Sequence, residues 1–378
     1  MEPPRAKLTE GTLETWLESQ DEKNFPHFDP GKGEISYCQR YKRIKEALTP
    51  YHQIVEKAAL LKSAIAWQKD ARKIIRKQMK GQSKKLALAK VDQIEPLIYL
   101  NHHGVDHVDR VIQKASELFI ESGCEFNGYE AYLLLCAIQF HDVGNVFGRN
   151  EHEQKCKDIM EEKCKDIIKD TVERNSIVKI AVVHGGCWGA DPDTVSALAV
   201  ERVLFNHPVR KRLLAAILRF ADELADDSTR ADRVALEKSL LPKGSEIYHR
   251  YSESLHSVKI EKRNIQLGFE FTSTLAIKQF EKHGSNCYLL DEIYRRTLKM
   301  ERERRYCMRF LRPFFDIDRI RVEIVIQSVS DPLATDKITY TLEENGYPDY
   351  FSSKMKQFNK DLRTGEAERR FIKKEWKL

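Results

Sequence analysis

Residues 128–142, GYEAYLLLCAIQFHD, leave a folded chain few options. They read as one helix that is apolar nearly all round until His141. A helix without a polar face cannot lie on a surface, so other elements must enclose it. An ionised Asp at the end of such a helix is costly unless it is paired or coordinated. The run therefore demands a helical bundle and a counter-charge for Asp142.

The neighbouring segments supply that bundle. HHGVDHVDRVIQKASELFIESG carries Val108, Val111, Ala115 and Leu118 at helical spacing, with Gly123 as the stop. Asp158–Asp170, VERNSIVKIAVVHGG and Val209–Ala225 read as further helices, and His207, beside Pro208, as a loop residue. Residues 92–237 show no strand–helix–strand alternation. Upstream, residues 1–35 read as an irregular lead-in with a short helix at Leu13–Leu17. Residues 37–95 read as helices, through Ile54, Ala58, Leu61, Ile65 and Ile74, broken at Gly81-Gln82-Ser83.

After about residue 245 the period changes. SVKIEKRNIQLGFEF, DRIRVEIVIQSV and KITYTLEE alternate like half-buried strands, and CYLLDEIYRRTLKMERERRYCMRFL is an amphipathic helix. The expected order is strand–helix–strand–strand, with the charges of Asp291–Arg309 on a solvated face. The fold class is mainly α: an all-helical bundle followed by a small α+β module. The expected organisation is an N-terminal helical region over 1–90, the bundle over 91–245, the α+β module over 246–342 and a basic tail over 343–378.

The net charge of +6 is unevenly spread. Lys69–Lys90 holds nine Lys/Arg and one acid, and Ser353–Leu378 holds nine Lys/Arg against four acids. Such surfaces suit a nucleotide effector, nucleic acid or an acidic partner, although a basic run by itself is more often a solvated face. The eight cysteines form no CxxC pair and read as reduced thiols. No apolar run approaches the roughly 18 residues of a membrane span, and the N-terminus lacks the apolar core of a secretory signal. These features lead to the expectation of a cytoplasmic protein without membrane contact.

Six residues stand out: His107, His141, Asp142, His152, His184 and Asp222. His107 and Asp222 lie within helical runs, His141-Asp142 and His184 end them, and His152 follows a Gly-containing turn. Imidazoles and carboxylates are the usual ligands of Zn, Mn, Fe and Mg, and a bundle gathers such ligands at its centre. One buried His is usually a hydrogen-bonded core residue, and one buried Asp a cap or ion-pair partner. The ordered series H…HD…H…H…D is far more specific.

That series resembles the HD superfamily of metal-dependent phosphohydrolases, in HVDRV around His107, FHDVGN around the doublet and LRFADELADDSTR around Asp222. The resemblance implies that His107, His141, Asp142 and Asp222 hold a catalytic metal. His152 and His184 fall where two-metal members carry additional histidines, with Asp142 as the bridge. HDVGNVFGRNEHE followed by an α+β segment looks most like the HD-CE type, often joined to an Hsp90-like ATPase module that this sequence lacks. The HHE and GYP signatures of the cyclic-di-GMP phosphodiesterases are missing, as is the HDxGHxPFxH run of the best-known dNTP triphosphohydrolases.

The implied cofactor is one or two divalent ions, with Mn, Fe, Mg, Zn, Ni and Co all compatible. The implied activity is hydrolysis of a nucleotide phosphoester, a nucleoside or deoxynucleoside triphosphate first, in nucleotide homeostasis or antiviral nucleotide depletion. A phosphodiesterase or nuclease on cyclic or single-stranded nucleotides, and a non-catalytic nucleotide sensor, stay open. Asp142 and His103 are the candidate catalytic groups, His103 lying one helical turn before His107. Arg110, Arg149 and Arg230, with Arg219 behind them, are candidates for phosphate contacts. Glu153 is a candidate orienting partner for a ligand imidazole. Homo-oligomerisation is compatible with the sequence.

Overall fold

The computed structural model describes residues 4–27, 34–60, scattered positions from 69 to 88, 104–147, 152–185, 192–239, 241, 244–282, 284–331 and 333–343. The chain divides into two compact units. One is drawn from Met1–Ile98, His102–Ala225 and Arg309–Phe315, the other from Tyr99–Asn101, Asp226–Met308 and Asp316–Leu378.

The first unit is helical, with α1 (Leu13–Glu18), α2 (Tyr37–Leu60), α3 (Val105–Ser122), α4 (Gly128–Phe140), α5 (His152–Ile159), α6 (Thr171–Val182) and α7 (Lys211–Leu224). Two short antiparallel pairs accompany them, β1 (Ala6–Lys7) with β2 (Glu125–Phe126) and β3 (Arg202–Leu204) with β4 (His207–Val209). α4 is the axis. All of its residues are buried, and α1, α2, α3, α6 and α7 all pack against it. Enclosure on every side is what its apolar circumference required. α3 turns one stripe inward, with His107 on the same face as Val108, Val111, Ala115 and Leu118. It stops where Gly123 takes up the left-handed conformation at φ 60°.

Polar groups decide where these helices begin. Asn127 caps α4 by accepting from the Glu130 N–H at 2.8 Å, and the Asn127 N–H donates back to the Glu130 carboxylate at 3.2 Å. Glu130 also accepts from Arg210, from its backbone N–H at 3.0 Å, Nε at 2.8 Å and Nη2 at 2.7 Å. Arg210 is the residue before α7, so one buried ion pair ties the starts of α4 and α7 together.

Two local expectations are corrected. Asp158–Asp170 is not a helix of its own. α5 already opens at His152, passes into a π-helical turn over Met160–Cys164 and ends there. The wider turn keeps Ile159, Met160 and Cys164 in the core. Asp170 instead caps α6, accepting from the N–H groups of Val172 and Glu173 at 2.7 and 2.9 Å. Val209, expected at the head of a helix, belongs to β4, as does His207. The turn of that hairpin puts Phe205 and Asn206 at φ 51° and 65°, the two positive angles that suit a two-residue connection. Its strands are too short to show a period of two.

The second unit is α+β. β5 (Leu255–Glu261) and β6 (Asn264–Thr272) form a hairpin, and β9 (Arg319–Gln327) and β10 (Thr335–Glu343) form another. The sheet order is β10-β9-β6-β5, with β6 parallel to β9. Between the hairpins come α10 (Ser273–Ile277), the small pair β7 (Gln279–Lys282) and β8 (Ser285–Tyr288), and α11 (Leu289–Leu311). α8 (Arg233–Glu237) and α9 (Glu246–Ser254) precede the sheet. SVKIEKRNIQLGFEF is thus two strands about a Lys262-Arg263 turn, with Lys262 at φ 49°. The order is strand–strand–helix–strand–strand.

α11 also differs from expectation. Glu301 and Arg304 on it are fully buried, paired at 2.7 Å, and Arg304 donates to the Ile317 carbonyl. Glu292 is buried against Lys282 and Arg295. Part of the charged face is therefore interior ion pairs. Helical spacing alone does not separate a paired buried charge from a solvated one. No described helix is long and apolar enough to cross a membrane.

Removing Glu130 strands the buried Arg210 guanidinium. Glu130→Ala is expected to destabilise the fold by about 3–5 kcal/mol. Urea unfolding followed by far-UV circular dichroism checks this, and a wild-type midpoint would show that the pair is not structural.

Candidate metal centre

His141 and His184 reach the site by the same local device. His141 directly follows α4 and His184 lies two residues past the end of α6, where the last carbonyls lack intrahelical donors. His141 Nδ1 lies 2.6 Å from the Ile138 carbonyl, and His184 Nδ1 lies 2.6 Å from the Ala181 carbonyl. A carbonyl only accepts, so each Nδ1 carries the proton and each Nε2 faces outward as a lone pair when the ring is neutral. His107 comes from the inner stripe of α3, Asp142 from the turn after α4 and Asp222 from the last turn of α7.

These side chains converge within the first unit. His107 Nε2 lies 3.1 Å from Asp222 Oδ1, 3.6 Å from Asp142 Oδ2 and 3.4 Å from His141 Nε2. His141 Nε2 lies 3.6 Å from Asp142 Oδ2 and 3.7 Å from Asp222 Oδ1. His184 Nε2 approaches the other oxygen of Asp142, Oδ1, at 3.7 Å. His107, His141, Asp142 and His184 are buried, whereas Asp222 keeps 29% of its side-chain surface open.

The electrostatics are those of a cation site. Burial opposes charge on His141, but the carboxylates of Asp142 and Asp222 outweigh it and push its pKa up to about 9. Burial likewise opposes ionisation of Asp222, while hydrogen bonds from His107 and His141, and their charges, hold it well below the usual carboxylate range. A divalent ion suits the same need. Such an ion binds neutral imidazole and ionised carboxylate, so here it would take the place of the proton as counter-charge.

The spacing agrees. Nitrogen and oxygen ligands about 2.1 Å from an ion stand roughly 3.0–3.4 Å from one another along the edges of a tetrahedron or octahedron. His107, His141 and Asp142 offer ligand atoms all within 4.8 Å of one another. An ordinary His–Asp ion pair accounts for the 3.1 Å His107–Asp222 contact. It does not account for three imidazole Nε2 atoms gathered on two carboxylates.

Five of the six expected ligands thus meet. The sixth, His152, opens α5, and its side chain lies outside the described residues, as do His103, Arg149 and the side chain of Glu153. Arg110 is half-buried, one turn after His107 on α3. Arg230 is in the second unit, buried and paired with Asp226 at 3.5 Å.

Two further polar groups belong to this neighbourhood. His52 on α2 is 2% exposed. Burial, together with the charges of His141 and His107, drives its pKa down to about 3 against the opposing effect of Asp142 and the Gln139 backbone. Asn145, three residues past Asp142, is fully buried. Neither His52 nor the Asn145 amide has a side-chain hydrogen bond of ordinary length to a described residue. Buried polar groups of that kind mark places where water, an ion or a ligand completes the network. His52 sits four residues after Leu48 and three before Val55, so it shares a helix face with them. A core histidine would sit there as readily, and the spacing does not tell the two apart.

A model of the HD-CE family matches residues 87–299, more than half of the chain. Comparison with curated proteins and with solved structures found no match.

Alanine at His107, His141 or Asp142 is expected to lower Mn²⁺ affinity more than the roughly 10–100-fold typical of residues that only support ligands. In the wild type the ion should raise the thermal midpoint, as any ligand selective for the native state does. Calorimetric titration and thermal scans with and without EDTA test both. A wild-type protein that takes up no divalent ion would remove the metal centre.

Proposed function

This chain belongs to the HD-CE family, and on that ground we propose that it is a divalent-metal-dependent phosphohydrolase acting on a nucleotide phosphoester, with nucleoside or deoxynucleoside triphosphates as the favoured substrates. The observation that carries this reading is the placement of Asp142. Its Oδ2 faces His107 and His141 while its Oδ1 faces His184. A carboxylate shared between two histidine groups would let Asp142 serve both ions of a two-metal phosphoryl-transfer centre.

In this proposal His107, His141, Asp142 and Asp222 would hold one ion, and Asp142 with His184 and His152 would hold a second. When bound, such ions bring the pKa of water towards neutrality and offset charge on phosphoryl oxygens. The protein's own part is orientation and exclusion. The Ile138 and Ala181 carbonyls set the tautomers of His141 and His184. The apolar body of α4 keeps bulk water away from the inner side, and the open edge of Asp222 faces the entering phosphate. Arg110 and Arg149 are assigned to phosphate oxygens, because guanidinium matches them bidentately. His103 is assigned to the leaving-group side, as a donor to the departing oxygen.

A second reading, hydrolysis of cyclic or single-stranded nucleotides, draws on one observation. Lys69, Lys73, Arg76, Lys77 and Lys80 are exposed on the basic stretch. A polymer held by many phosphates should lose affinity steeply between low and moderate salt, whereas turnover of a mononucleotide should change far less.

Wild type and a His141→Ala/Asp142→Ala variant, each incubated with NTPs, dNTPs, cyclic nucleotides and oligonucleotides over a panel of divalent ions, separate the readings. Metal-dependent release of phosphate, pyrophosphate or triphosphate from a mononucleotide, lost in the variant, is the expected result. Cleavage confined to cyclic or polymeric substrates favours the second reading. Ion binding without turnover of any substrate would leave a nucleotide sensor.

A further inference from the structure

α6 ends where its last carbonyls have no donors left in the helix, and His184 sits inside that frayed end. Its backbone is nonetheless held on both sides. Before it, the Val183 carbonyl accepts from the Thr194 hydroxyl at 2.7 Å. After it, the Gly185 carbonyl accepts from Arg219 Nη1 at 3.4 Å. Arg219 Nη1 also donates to Thr194 Oγ1 at 3.0 Å, which joins the two supports. Thr194 and Arg219 are both buried.

Arg219 stands on α7, one turn before Asp222. The guanidinium that the sequence offers to a phosphate is engaged with the turn that carries His184. It therefore links the helix that supplies Asp222 to the turn that supplies His184. A cation at the C-terminal end of α6 also meets the negative end of that helix dipole.

We propose that Arg219 and Thr194 form a latch that positions His184, so that ion affinity on the His184 side of the centre depends on two residues that do not themselves touch the ion. The inference rests on the metal-centre reading above. His184 Nε2 stands 3.7 Å from Asp142 Oδ1, and its ring is pinned at Nδ1, so a shift of the turn moves the ligand nitrogen directly. Thr194 does two jobs that need a hydroxyl: it donates to Val183 and accepts from Arg219. Valine has its shape and neither capacity. Serine has both capacities and lacks only the methyl group. Lysine at position 219 keeps the charge but is shorter and lacks the rigid planar Nη1 group whose N–H donors reach Thr194 and Gly185.

Mn²⁺ titration of the full chain by calorimetry tests the latch, with wild type, Thr194→Val, Thr194→Ser, Arg219→Lys and His184→Ala compared. Thermal midpoints in EDTA are taken alongside to register folding in the absence of ion. Thr194→Val and Arg219→Lys should lower ion affinity by about 10–100-fold, the range seen when groups that orient ligands are lost. Thr194→Ser should stay within about twofold of wild type, since it preserves the same hydrogen bonds. Wild-type isotherms for Thr194→Val or Arg219→Lys overturn the latch. So does an equal loss in Thr194→Ser, which would assign the effect to the methyl group. If Thr194→Val does not fold, Arg219→Lys decides alone. Undiminished binding by His184→Ala would overturn the latch while leaving the His107, His141 and Asp142 site intact. Failure of the wild type to bind Mn²⁺ would remove the metal centre and the latch together.

Discussion

The Glu130–Arg210 ion pair joins the starts of α4 and α7, and the candidate metal centre joins their far ends. Glu130 and His141 are eleven residues apart, Arg210 and Asp222 twelve. At 1.5 Å per residue these are helical runs of about 16 and about 18 Å. Two nearly equal rods clamped at one end bring their other ends together, and there His141 Nε2 lies 3.7 Å from Asp222 Oδ1. A buried pair of this kind adds little net stability compared with apolar side chains of the same size. Its value here is registry: a slip of α7 by one turn would move Asp222 about 5 Å and dissolve the cluster.

His141 and His184 are presented by helix C-termini, and that choice has a physical reason. A helix C-terminus offers bare carbonyls and a partial negative charge. An imidazole placed there satisfies one carbonyl through Nδ1 and leaves Nε2 oriented away from the helix, as in His141 and His184. Each helix end therefore gains a cap and the site gains a fixed nitrogen. The centre collects its groups from α3, α4, α6 and α7, so its geometry is set by helix packing. The supports follow the same logic, because Thr194 and Arg219 satisfy the next carbonyls along.

The second unit uses buried charge in a different way. Glu301 and Arg304 lie one turn apart on α11 and neutralise one another, and Arg304 reaches the Ile317 carbonyl just before β9. Such pairs mark where a helix must pack against the chain that follows it. On the other side of the sheet register, β6 and β9 run parallel from Asn264 paired with Arg319 to Thr272 paired with Gln327. Parallel neighbours require a crossover, and α10, the β7–β8 pair and α11 provide it.

Much of the first unit can be read from residue order. The run 128–140 is apolar on every side, so it has to be a central helix. The doublet His141-Asp142 and the residues His184 and Asp222 sit where helices stop or nearly stop, and those stops are local properties of caps, glycines and apolar period. A resemblance carried by the same motifs names the chemistry. Other features have no local signature. The hairpin at 202–209 is too short to alternate. β5 and β6 read as one strand, because a two-residue turn of Lys and Arg looks like more of the same polar face. His52 comes to the metal centre from α2, far away in sequence, on a face that ordinary core residues also occupy. Arg219 looks the same in sequence whether it meets a phosphate or a backbone carbonyl. Periodicity and capping act over a few residues and can be read in order. The convergence of distant polar groups depends on how the helices pack, and it appears only once burial has forced each of those groups to find its partner.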